Sequence, residues 1–133
     1  MKNIKNLKEF KKLILKYENI TEEDIKKATL EVEQNVKNKD QHPNMVARKL
    51  TGFGYGETCS LCQKAKDCKY CVYAIDEMNM NIVDCGCMKG LNKTTFSKIT
   101  YANTSMELLK AFRLRAERMR KILKDNKIDF DKI

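Results

Sequence analysis

Apolar residues recur every three to four positions over three stretches of the chain, and each stretch predicts an amphipathic helix. Between residue 4 and about residue 18, Leu7, Phe10, Ile14 and Tyr17 fall on one stripe. Lys5, Lys8, Lys11, Lys12 and Lys16 lie mostly off it. From residue 21 to about 38, Ile25, Ala28, Val32 and Val36 make a second stripe. Thr21 is placed to cap that helix, with Asp24 where a capping box usually has Glu. Glu22, Glu23 and Asp24 load its first turn with negative charge, which suits the helix dipole. The third helix starts after Thr104, where Thr104-Ser105-Met106-Glu107 forms a capping box, and runs to about Lys124, with Asn126 as its stop. Leu108, Leu109, Ala111, Phe112, Ala116, Met119, Ile122 and Leu123 share one broad arc of it. Shorter helices are expected at 44–50 and 95–101.

The middle of the chain breaks this pattern. Thr51-Gly52-Phe53-Gly54-Tyr55-Gly56-Glu57 alternates glycine with aromatic residues. No strand precedes it and no Lys-Ser/Thr follows it, so it reads as a loop rather than a phosphate cradle. All six cysteines come next, between positions 59 and 87. Cys59–Cys62 and Cys68–Cys71 are C-x-x-C pairs, and Cys85-Gly86-Cys87 is tighter. Short strands are expected near 71–75 and 81–83, sized for a small hairpin in a metal knuckle.

A C-x-x-C turn places two thiolates where both reach one ion, and structural zinc takes four such ligands in a tetrahedron. Three closures are open. The first two pairs hold one ion, or one pair joins Cys85 and Cys87, or all six cysteines share two ions. His42, before Pro43, is a weaker substitute ligand. The five-residue gap between Cys62 and Cys68 is shorter than in zinc ribbons. An iron–sulfur cluster ranks below zinc because its usual C-x-x-C-x-x-C run is absent. Disulfides and redox catalysis rank lower still.

Charge adds a second theme. The 133 residues carry a formal charge of +9, concentrated in the two ends, with residues 51–100 nearly neutral. Four of the five arginines lie in the last helix. Lys110, Arg113, Arg118, Arg120, Lys121 and Lys124 occupy the arc opposite its apolar one, and Arg115 falls inside the apolar arc. Arginine meets phosphate and carboxylate bidentately, which lysine does not. These seven residues are therefore the candidate surface for nucleic acid or another partner. A solvated basic face is the plainer alternative. No apolar run approaches the roughly 18–20 residues of a membrane span. The lysine-bearing N-terminus lacks the apolar core of a secretory signal, so a cytoplasmic, reducing setting is expected.

From Thr51 onward the chain resembles small, cysteine-rich, zinc-knuckle-like proteins of bacteriophages and mobile elements. The resemblance rests on Thr51-Gly52-Phe53-Gly54, the two C-x-x-C pairs, and the run Glu107 through Ala116, and it covers about residues 51–124. It implies an origin in a phage or mobile element and carries no activity.

The expected fold is mainly α and forms one domain over 1–133. A helical part (1–50) and a C-terminal helical part (91–133) flank a cysteine-rich metal-binding part (51–90). The expected function is a non-catalytic, zinc-stabilised binding module for nucleic acid or a nucleoprotein complex. The alternative is a phage-encoded inhibitor that binds a host defence nuclease, as anti-CRISPR proteins do. A thiol- or metal-dependent enzyme comes third, because no His and carboxylate constellation is present.

Overall fold

The computed structural model describes residues 4–35, 42–52, 60–66, 70–72 and 95–133. Six helices are described: α1 (Leu7–Asn19), α2 (Glu22–Asn35), α3 (His42–Thr51), α4 (Ser60–Ala65), α5 (Thr95–Thr100) and α6 (Ser105–Asp125). A 3-10 turn at Phe130–Lys132 follows. The described residues are mainly helical and include no strand. None of their helices is long and apolar enough to cross a membrane.

The core lies where α1 packs on α6. Phe10, Leu13, Ile14 and Tyr17 from α1 meet Leu108, Phe112, Met119 and Ile122 from α6, all buried. The Tyr17 and Phe112 rings stack at 5.6 Å between centroids. Ile25, Ala28 and Val32 of α2 close one side, with Val46 and Ala47 of α3. Leu61 and Ala65 of α4 enter the same core, as does Ile99 of α5.

Local chemistry sets the helix ends. Thr21 and Asp24 form a reciprocal box: Thr21 N–H donates to Asp24 Oδ2 and Asp24 N–H to Thr21 Oγ1. Hydrogen bonding to the carboxyl from Thr21, by its backbone N–H first and its side chain second, holds Asp24 below its usual range. At α6, Glu107 N–H donates to Thr104 Oγ1, and Asn103 N–H donates to Glu107 Oε2. Gly52, at φ +87°, ends α3 in the left-handed region that glycine adopts without strain. Beyond α6, Ile128 N–H reaches Leu123 O and Lys127 N–H reaches Lys124 O, which makes a Schellman turn. Lys127 takes its left-handed position at φ 57°, where glycine is the usual occupant.

Four expectations change. The first helix begins at Leu7 rather than near residue 4, because Asn6 turns its side chain away from the helix end. Residues 60–65 are helical rather than a bare turn, because Leu61 and Ala65 are one turn apart and both buried. The expected strand at 71–75 does not begin as one: Cys71 lies in a bend and Val72 is helical. Its remainder and the 81–83 strand lie outside the described residues, as does the end expected for α2. The helix expected at 44–50 starts earlier, at His42, with Pro43 in the first turn, where its missing N–H costs nothing.

Candidate functional site

Of the six cysteines, Cys71 is described in full; it is buried and carries a free thiol. Cys62 is placed by its backbone on α4. Cys59, Cys68, Cys85 and Cys87 lie outside the described residues. Among the described residues, no three metal-ligating side chains gather.

What holds this region is Asn6, a residue the sequence does not mark. It is 1% exposed and sits just before α1. Its Nδ2 donates to Leu61 O at 3.0 Å and to Cys71 Sγ at 3.2 Å. Its Oδ1 accepts from Val72 N–H at 3.0 Å. Leu61 belongs to the first C-x-x-C and Cys71 to the second, so one amide nitrogen bonds both. Next to it, Lys5 N–H donates to Tyr70 O at 2.9 Å, and the Lys5 ammonium lies 4.2 Å from the Tyr70 ring centroid. The N-terminal segment thus lies along Tyr70, Cys71 and Val72 and ties them to α4. Ser60 Oγ, beside Cys59, is a buried hydroxyl with no hydrogen-bond partner among the described residues.

An N–H donor on sulfur fits a thiolate ligand, because outer donors orient a ligating group and stabilise its charge. The described part of the region therefore suits a thiolate-bound ion. Within the described residues it joins Leu61 of the first C-x-x-C to Cys71 of the second through the Asn6 amide. His42 opens α3.

The seven basic candidates of α6 divide sharply. Arg113 donates to Tyr17 O and Ile20 O at the end of α1 and caps that helix with a positive charge. Arg120 makes a bidentate pair with Glu18, through Nε to Oε2 and through Nη2 to Oε1 at 2.9 Å. Its guanidinium also stacks 4.2 Å from the Phe130 ring centroid, pinning the C-terminal turn. The hydrogen bond from Arg120 holds the Glu18 carboxyl below its usual range, and Glu18 raises Arg120 in turn. Arg115 is 2% exposed and donates to Thr95 Oγ1 at 2.9 Å, so it anchors α5 and reaches no external partner. Lys121 pairs with Asp125 one turn on, and Arg118 is half-buried. Lys110 and Lys124 are exposed, with no acidic partner among the described residues.

Arginine enrichment in α6 is therefore largely architectural. A position on the polar arc shows that a side chain leaves the core, but not that the end of α1 waits beside it. Compared with known proteins, the chain matches no family model, and no curated protein or solved structure is significantly similar.

Proposed function

We propose that the chain is a non-catalytic binding module for nucleic acid or a nucleoprotein complex, stabilised by zinc on its cysteine turns. Cys59, Cys62, Cys68 and Cys71 hold one ion, or all six cysteines, Cys85 and Cys87 included, share two. The observation that carries this reading is the Asn6 amide bonded to both Leu61 O and Cys71 Sγ. Four thiolates and one zinc leave the centre anionic, so phosphate is met elsewhere.

Binding then falls to the basic surface of a chain at +9. Lys110 and Lys124 of α6, with Lys98 of α5, supply charge that no internal acid neutralises among the described residues. Arg118 and Lys121 add to it from the same helix. Arg115 supports this surface from inside the fold, and Arg113 and Arg120 fasten α6 to the end of α1.

The test is binding of the purified chain to a labelled oligonucleotide from about 50 to about 200 mM salt. The proposal expects affinity to fall steeply and log-linearly with salt, as phosphate neutralisation requires. Flat salt dependence, or no binding at low salt, contradicts it. A stoichiometric complex with a host protein that survives nuclease treatment would favour the inhibitor reading instead.

A further inference from the structure

Between α5 and the first half of α6 lies an open cleft of about 350 Å³. Ala102 and Ala111, both buried, form its floor. Tyr101 and Leu114 form its walls, and both are large apolar side chains left more than a third exposed, at 38% and 37%. Lys98 and Lys110 stand on its rim with Glu107. Glu107, whose Oε2 accepts from Asn103 N–H in the α6 cap, sets one negative charge against their two positive ones. The two lysines have no acidic partner among the described residues. An exposed aromatic wall over small floor residues, flanked by two cations, suits a flat ring that carries phosphate on either side.

We infer that this cleft seats one unstacked nucleotide of a single-stranded nucleic acid. The base packs on the Tyr101 ring and Leu114, and Lys98 and Lys110 take the flanking phosphates. The inference rests on the nucleic-acid reading above and gives it a location and a strand preference. Volume argues for a nucleotide. The cleft is at the small end of ligand sites and takes one ring with its sugar, not the several side chains of a docked amphipathic helix. Stacking on an aromatic wall tolerates any base, so little sequence preference is expected. Duplex DNA keeps its bases stacked and cannot enter.

The test uses the full-length chain and a fluorescein-labelled, mixed-sequence single strand, with the matching duplex as control. Tyr101→Ala should weaken single-strand binding roughly tenfold or more, as loss of one stacked base does. Tyr101→Phe should restore it, and duplex binding should not change in either variant. Lys98→Glu with Lys110→Glu should weaken single-strand binding further and lower the salt slope by about two phosphates. Unchanged helical circular dichroism and melting should accompany each variant.

If the wild type binds single strands but neither Tyr101→Ala nor the double lysine variant weakens binding, the cleft is not the site, and the nucleic-acid reading survives. If the wild type binds neither form at low salt, both readings fall. If an acidic peptide displaces the strand and is itself lost with Tyr101→Ala, the cleft belongs to a protein partner and the inference is overturned.

Discussion

The two ends of α1 are fastened by different chemistry. At its start, Asn6 uses a neutral amide, buried to 1% exposure, to join two C-x-x-C turns and the chain after them. At its finish, Arg113 and Arg120 use charge: one caps the carbonyls of Tyr17 and Ile20, the other grips Glu18 at the surface. A neutral buried fastener responds to neither salt nor mild acid. The charged fasteners respond to salt, and the Arg120–Glu18 pair also to acid, because Glu18 titrates. The first sits beside sulfur, where an added negative charge would oppose the thiolates of the proposed metal centre. The second sits where a helix end already presents partial negative charge.

The largest expected effect is at Asn6. Asn6→Leu leaves Val72 N–H without its acceptor, removes the donor to Leu61 O and Cys71 Sγ, and should cost about 3 kcal/mol in denaturant unfolding. Asn6→Asp keeps the shape and the acceptor but puts a carboxylate against Leu61 O and Cys71 Sγ. It should be at least as damaging; wild-type stability in Asn6→Asp would show that the donor side of this amide is idle.

Next comes Arg113. Arg113→Met keeps the apolar stem and removes the cap, and should cost about 2 kcal/mol, since bonds from a charged donor are the stronger kind. Nucleic-acid affinity should barely change. A large loss of affinity with unaltered melting would place Arg113 at the interface instead.

Arg120 and Glu18 come third. Glu18 titrates below its ordinary value of 4.5 in the folded protein, chiefly through its hydrogen bond from Arg120. As pH falls, the unfolded chain takes up this proton first. The pair's contribution is therefore complete above pH 4.5 and is lost as pH drops below it. The pair is partly exposed and screened, so the amount is only about 0.5 kcal/mol. Arg120→Ala should flatten that part of the pH–stability curve, and high salt should do the same to the wild type. The smallest effect is a gain: Lys127→Gly should stabilise by about 0.3 kcal/mol, since glycine enters the left-handed region without a Cβ penalty but adds freedom to the unfolded chain.

The difference between the two ends also explains what could be read from the residues alone. The helices of α1, α2 and α6 were legible because stripes and capping boxes are local, as Thr21 with Asp24 and Thr104 with Glu107 show. The six-residue α4 was not, because Leu61 and Ala65 are too few to declare a period. Asn6 was invisible because its partners lie 55 to 66 residues away. The arginines were visible, but the partner expected for them lay outside the molecule. For Arg113 and Arg120 it is the end of α1, which only packing brings near. Arg115 gave a hint, since a cation inside an apolar arc must be either bonded or wrongly placed, and it is bonded to Thr95. The cleft between α5 and α6 needed both helices in place before Tyr101 and Leu114 could be recognised as its walls.

The most direct measurement is the metal content of the purified chain, taken together with its melting curve before and after chelation. The account predicts about one zinc per chain or more, held by thiolates, and a melting temperature that drops when a chelator removes it. A chain that carries neither zinc nor iron, and melts identically with and without chelator, would contradict it.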